Sequence, residues 1–330
     1  MPEMRLNLVT RDWVIIATER AKKPEDFKRA EARPFIEPYV EACPFCAGNE
    51  AKTAAEKSRL RDDGGWRVRV VANKYPAVAA EGEKKRVTDG VKRMVSGVGL
   101  HEIIIESPLH NSSPALMELR CIEDVVRVYK ERFLAAYADA RVEHVIIFKN
   151  YGASAGTSLE HPHTQLIGIP VVPVKFRDRV QAAMHYFDDT GSCMMCDMIK
   201  MELKDGRRVV VESDYFLSFI PYASLSPFHI WILPKRHSAT FADITEAEIQ
   251  DFARQLKETL LKFYIGLDDP DYNYVIRSSR PADAGNVYSH WYLSIIPRLS
   301  SVAGFELGSG IYLNASVPEE TAPYLKGMRG

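Results

Sequence analysis

The stretch "SLEHPHTQLIGI", residues 158–169, decides the fold. Side chains of an extended segment alternate faces, so residues two apart point the same way. His161, His163 and Gln165 therefore share one face of a strand, while Leu166 and Ile169 fall on either side of the sheet. Two imidazoles and an amide are aimed at a common volume. Whether that volume is a site depends on what else converges there.

Working outward, the N-terminal region to about residue 65 is polar, rich in Pro, Lys and Glu, and shows little periodicity around "CPFC" (43–46). "WRVRVVANKYPAV" then reads as a strand running into a turn, and "HEIIIESPLH" (101–110) as a strand ending on a histidine. Residues 113–140 read as a helix, with Ser113-Pro114 at its start and apolar residues at helical spacing from Leu116 to Phe133. "VEHVIIFKN" is the next strand, "YGASAGTS" a small-residue loop, and "HPHTQLIGI" closes the half.

The same order recurs from "CMMC" (193–196): strands in "RVVVES" and "YFLSFIPYAS", then "HIWILPKRH" (229–237), a strand ending on a histidine. Residues 245–264 form a helix whose Thr245 and Glu248 make a capping box, followed by the strand "YNYVIRS", a loop, and the strand "SHWYLSIIP" (289–297). The steps Cys46–His110–His161 are 64 and 51 residues, and Cys196–His237–His290 are 41 and 53. Such self-similarity argues for duplication of one α+β unit. The expected organisation is residues 1–171 and 172–330, with the seam in 172–192, each repeat a mainly antiparallel sheet with a helix and the two joined into one structure.

At 330 residues the chain has ample length to bury a core, and 46% hydrophobic with 26% charged residues is ordinary for a water-soluble protein. A formal net charge of −1 gives no reason to expect nucleic acid or an anionic membrane as partner. No apolar run approaches the ~20 residues that span a bilayer, and the N-terminus does not read as a signal peptide. A cytoplasmic protein is expected. In that reducing compartment two C-x-x-C pairs are metal ligands or a redox pair rather than disulfides.

Cys43, Cys46, His110 and His161 in one half, and Cys193, Cys196, His237 and His290 in the other, suit two tetrahedral zinc sites without an open position. Iron is an alternative at the second. A thioredoxin-like redox pair fits less well, because neither C-x-x-C reads as opening a helix after a strand. His101, His144, His185 and His229 show no partner in the sequence and read as packing or surface residues. His163 is not needed as a ligand, and a neutral imidazole with a glutamine on its face can attack phosphorus. The loop "NYGASAGTS" before it offers N–H groups and hydroxyls that could hold a phosphate. In the second half Tyr292 stands where His163 does, so only one half is expected to be catalytic.

These residues resemble the galactose-1-phosphate uridylyltransferase family, a branch of the histidine-triad superfamily. The resemblance runs from "DWVIIATERAKKPEDF" through "CPFC", "ANKYPAV", "ESPLH", "FKNYGASAGTSLEHPHTQ" and "LPKRH" to "HWYLSIIPRL". It implies a homodimer and ping-pong nucleotidyl transfer, in which His163 attacks the α-phosphorus of a nucleotide sugar and Gln165 hydrogen-bonds the transferred group. By the same resemblance Ser158, Asn150 and Gly152 belong to the phosphate and sugar loop, Asn73 contacts the ribose, and Arg20 approaches the phosphates of the partner subunit's site. The chain departs from the familiar uridylyltransferases in Leu159-Glu160 before the H-P-H and in its second C-x-x-C. "GASAGTS" and "GFELGSGIYLN" look closer to an ADP-glucose phosphorylase branch. Uridylyl transfer to a hexose 1-phosphate is the first expectation, nucleotide-sugar phosphorolysis the alternative, and zinc-stabilised nucleotide binding without turnover the third.

Overall fold

The computed structural model describes residues 1–29 and 33–329, with the Arg20 side chain outside the described set. The first half contains β1 (Glu3–Leu6), β2 (Trp13–Ile16), β3 (Glu56–Asp62), β4 (Gly65–Ala72), β5 (Arg86–Asp89), β6 (Lys92–Val95), β7 (Leu100–Ile105), α1 (Leu119–Tyr137), β8 (His144–Tyr151) and β9 (His163–Ile169). The second contains α2 (Val174–Thr190), α3 (Met194–Asp205), β10 (Val209–Glu212), β11 (Phe216–Phe219), β12 (Ile230–Pro234), α4 (Glu246–Gly266), β13 (Tyr272–Arg277), β14 (Tyr292–Pro297), α5 (Gly304–Ser309), β15 (Tyr312–Asn314) and α6 (Pro318–Gly327).

Ten strands form one sheet in the order β10-β11-β12-β14-β13-β8-β9-β7-β4-β3, antiparallel throughout. Read inward from either edge the order is the same, so the sheet is two matching five-stranded units joined at β8–β13. At that joint Phe148 pairs with Val275. Gln165 pairs with Phe148, and its counterpart Ser294 pairs with Val275. Exchanging the halves leaves the register unchanged, and a pseudo-two-fold axis runs through the Phe148–Val275 pair.

Both long helices pack on one face. α1 buries Ile122, Val125, Val126, Tyr129, Phe133 and Ala136, and α4 buries Ile249, Phe252, Leu256, Leu260 and Phe263, the stripe that a helical period presents to a core. The residues of both belong to one apolar cluster with Ile147, Leu166, Ile276 and Leu293 of the sheet. Each such side chain contributes about 1.5–3 kcal/mol on burial. The joint is therefore stabilised by a shared core as well as by strand pairing. α4 starts with the expected box: the Glu248 N–H donates to Thr245 Oγ1 and the Thr245 N–H to Glu248 Oε2.

Several elements differ from the sequence expectation. The helix expected over 113–140 begins at Leu119, because Glu118 is extended (φ −59°, ψ 145°) and Ser113–Met117 close a separate turn on the Ser113 carbonyl. β7 and β12 end at Ile105 and Pro234, so His110 and His237 lie in the loops beyond them. The expected seam is occupied by α2, closed by Gly191 at φ +71°. Cys193 is the N-cap of α3, so this C-x-x-C does open a helix, although α2 rather than a strand precedes it. The polar N-terminal region supplies β1 and β2, which form a three-stranded sheet with β15. Among the described residues no helix is long and apolar enough to cross a membrane.

Candidate active site and metal centres

β9 is held from its helical side by a buried polar cluster. Thr164 Oγ1 donates to Glu106 Oε1 (2.5 Å), to which the Tyr129 hydroxyl also donates (3.0 Å). Lys149 Nζ donates to Glu106 Oε2 (2.6 Å) and to the His163 carbonyl (3.1 Å). Because Thr164 faces α1, the alternation of the strand turns His163 and Gln165 to the opposite face.

There they line a cavity of about 510 Å³ together with Phe45, Asn73, Lys74, Tyr75, His101 and Ser158. The His163 Nδ1–H donates to the His161 carbonyl (2.8 Å), which leaves Nε2 as the bare nitrogen. Burial pushes the His163 imidazole below its ordinary value, with that carbonyl bond opposing. The cavity nitrogen is thus an unprotonated lone pair at neutral pH.

His101 orders the glutamine. The Ala77 N–H donates to His101 Nδ1 (3.1 Å), so Nε2 carries the ring proton and donates to Gln165 Oε1 (2.9 Å). The Gln165 amide NH₂ is then left to donate elsewhere. Asn73 Nδ2 lies 3.0 Å from His101 Nε2, while its Oδ1 accepts from the Tyr75 N–H (2.8 Å). His101, read from the sequence as a packing or surface residue, is the group that this reading missed.

Of the expected site residues the structure brings Asn73, Ser158, His163 and Gln165 together. Asn150 and Gly152 do not line the cavity. Asn150 Oδ1 accepts from Asn273 Nδ2 (2.8 Å), and Gly152, at φ +85°, sits so close to Asp271 that a Cβ would lie 2.0 Å from its Oδ1. Both shape the loop. Its N–H groups were expected to face a phosphate, but Ser154 N–H donates to Asp271 Oδ2 and those of Ala155, Gly156 and Thr157 close turns on the Gly152 and Ala153 carbonyls. Arg29 and Arg33 pair with the same aspartate.

Cys43, Cys46, His110 and His161 place one ligand atom each within 4.8 Å of one another, as do Cys193, Cys196, His237 and His290. The S···N distances Cys46–His110 (3.5 Å), Cys46–His161 (3.6 Å), Cys196–His237 (3.5 Å) and Cys196–His290 (3.6 Å) all involve Nδ1. Tetrahedral bonds of about 2.3 Å to sulfur and 2.0–2.1 Å to nitrogen require about 3.6 Å between such atoms. Three of the four outer nitrogens are spoken for: His161 Nε2–H donates to the Ser107 carbonyl (2.8 Å), His237 to the Asn286 carbonyl (2.9 Å) and His290 to the Pro234 carbonyl (3.0 Å). In those three rings the bonds fix the tautomer that leaves the Nδ1 lone pair facing the sulfurs. Burial, foremost, holds His161 down to about 4, so it stays a neutral ligand. Both clusters fit a four-coordinate ion, which when bound would crosslink the C-x-x-C segment to the end of the sheet. In the first half that end is the residue next but one to His163.

A ten-stranded duplicated sheet with an H-P-H strand facing a cavity and a Cys₂His₂ cluster at its head defines a nucleotidyl-transfer fold. Residues 1–173 match the N-terminal domain, and residues 179–310 the C-terminal domain, of galactose-1-phosphate uridyl transferase. The chain belongs to this family and is an enzyme of the nucleotidyltransferase class. It is 38% identical over 330 residues to ADP-glucose phosphorylase of Arabidopsis thaliana, covering 98% of this chain and 92% of the relative. It is 26% identical to galactose-1-phosphate uridylyltransferase of Thermotoga maritima over 99% of this chain and 98% of that one. A crystal structure of an Arabidopsis thaliana ADP-glucose phosphorylase with bound ADP-glucose superposes with a TM-score of 0.84 at 35% identity, covering 100% and 99% of the two chains. A uridylyltransferase structure gives 0.75 at 26% identity, covering 99% and 97%.

Proposed function

We propose that this protein is an ADP-glucose phosphorylase acting through a nucleotidyl-histidine. This places the phosphorylase reading ahead of uridylyl transfer to a hexose 1-phosphate. The greater identity to the phosphorylase supports that order, as do the sequence departures at Leu159-Glu160 and in the second C-x-x-C. The observation that carries the chemistry is the bare His163 Nε2 beside the His101-oriented Gln165 in one cavity.

His163 Nε2 attacks the α-phosphorus of ADP-glucose; the bond to the β-phosphate oxygen breaks and glucose 1-phosphate leaves. Inorganic phosphate then attacks the same phosphorus, releasing ADP and returning the imidazole. The Gln165 NH₂ donates to the transferring phosphoryl oxygens, where charge accumulates. Lys74 brings positive charge to the phosphates, Asn73 and Ser158 offer hydrogen bonds to ribose and phosphate, and Phe45 and Tyr75 offer aromatic faces to the base. Zinc is the ion proposed for both Cys₂His₂ clusters, since thiolate and imidazole in a closed tetrahedron suit it. A homodimer in the cytoplasm, with Arg20 of one protomer approaching its partner's site, completes the reading.

The test is to load the protein with ADP-glucose or UDP-glucose, weigh the adduct, and chase it with phosphate or galactose 1-phosphate. The expected result is an adenylyl adduct at His163 discharged faster by phosphate. A uridylyl adduct discharged faster by the sugar phosphate would reverse the order and restore the uridylyltransferase reading.

A further inference from the structure

The pseudo-two-fold axis carries the active-site cavity onto a second cavity in the other half. Tyr292 replaces His163, Ser294 replaces Gln165, and the shared strand pairings place His229 where His101 stands and Arg277 where Asn150 stands. The contact is copied with its polarity reversed: Ser294 Oγ lies 2.8 Å from His229 Nε2 and donates to it, whereas His101 Nε2–H donates to Gln165 Oε1 (2.9 Å). A duplicated unit that had merely lost its catalytic function would be expected to fill this space with apolar side chains. Instead it remains a cavity of about 290 Å³, near the lower end of the ~300–1,000 Å³ typical of small-molecule sites.

Its lining includes two arginines without an ion pair. Arg277, at the end of β13, makes no ion pair or side-chain hydrogen bond among the described residues, and its buried Nε has no partner. Arg179, on α2, bonds only the Lys175 carbonyl of its own helix (3.1 Å), and its buried Nε is also without a partner. His229 is 3% exposed; its Nε2 accepts from Trp231 Nε1–H (3.1 Å), so the proton is on Nδ1, and that atom too has no partner. Asp12 and Asp178 line the same cavity, yet among the described residues neither forms an ion pair with either arginine. Both arginines are half-buried with a sheltered, unpartnered Nε, and a sheltered guanidinium is ordinarily matched to carboxylate or phosphate. Lys175 adds a third cation.

We infer that the C-terminal half holds a second, non-covalent ligand site for a sugar phosphate, with Arg179 and Arg277 taking the phosphate and Asp12 and Asp178 accepting from sugar hydroxyls. With Tyr292 in place of the imidazole nucleophile the site binds without transferring. It is independent of the role proposed for His163.

The experiment titrates glucose 1-phosphate, inorganic phosphate and glucose into the full metal-loaded chain by equilibrium dialysis, with thermal melts in parallel, for the wild type, Arg277→Met, Arg277→Lys and Arg179→Met. Losing one charged hydrogen-bond donor should weaken one glucose 1-phosphate site at least about tenfold in each Met variant, with Arg277→Lys intermediate. Phosphate should bind that site more weakly than glucose 1-phosphate, and glucose not at all. Without ligand Arg277→Met should melt above the wild type, because a half-buried charge without an ion-pair partner has been removed. Superimposable isotherms for wild type and both Met variants overturn the inference. So does a lower melting temperature for Arg277→Met with ligand binding intact, which would make the guanidinium structural.

Discussion

Replacing Lys149 by Met should destabilise the protein strongly and disturb a strand whose chemistry lies on the other face of the sheet. Lys149 and Glu106 are each 1% exposed and 2.6 Å apart. Burial alone lowers the Lys149 pKa, and the Glu106 carboxylate opposes that shift. Removing the ammonium leaves a buried carboxylate with only hydroxyl donors from Tyr129 and Thr164, a situation that costs about 3–5 kcal/mol. At about 2.1 cal/mol/K per residue, 330 residues have an unfolding entropy of about 0.7 kcal/mol/K, so the melting temperature should fall by about 4–7 °C. Adding Glu106→Gln should recover at least half of the loss, because glutamine can still accept from Tyr129 and Thr164 without a charge. The lost bond to the His163 carbonyl should also slow adduct formation, although His163 itself is unchanged. Melts and adduct rates of the two single variants and the double variant form the cycle. A single-variant cost below about 1 kcal/mol, or a double variant as unstable as the two losses added together, would refute the reasoning.

Other outcomes follow from the same geometry. His163→Ala should abolish the nucleotidyl adduct while metal content and melting temperature stay near wild type, whereas His161→Ala should lose an ion; elemental analysis and intact mass separate the two. His101→Ala should reduce adduct formation more than it weakens substrate binding, because it frees the Gln165 amide to rotate; a kcat against KM comparison reads this, and a change confined to KM would contradict it. Burial foremost holds His144 down to about 4, below its ordinary 6.5. The unfolded chain therefore takes up a proton that the folded chain refuses, so stability is full above pH 6.5 and falls as the pH drops toward 4. That amounts to about 3 kcal/mol for this residue, and urea titrations of His144→Phe should show a flatter acid limb.

The duplication and both Cys₂His₂ sets were legible because they are written as residue order and spacing, which survive without coordinates. The antiparallel α+β architecture followed from them. What the sequence hid were facts of pairing. His101 carries no local signal: it meets Gln165 only because Ile103 is the strand partner of Gln165 and His101 lies two residues along on the same face. The small-residue loop misled for the opposite reason. Glycine and serine composition is compatible with a phosphate cradle, but Asp271, more than a hundred residues away, takes the Ser154 N–H and hydroxyl. Arg277 is the sharpest case. In sequence it is one arginine at the end of "YNYVIRS"; only the register shows that it stands at the position of Asn150, facing Tyr292 across the strand pair. The same duplication that made the fold readable thus left its second cavity unread. Motif order identified Tyr292 as a missing nucleophile, whereas pairing and partner accounting identify the guanidiniums left beside it without an ion-pair partner.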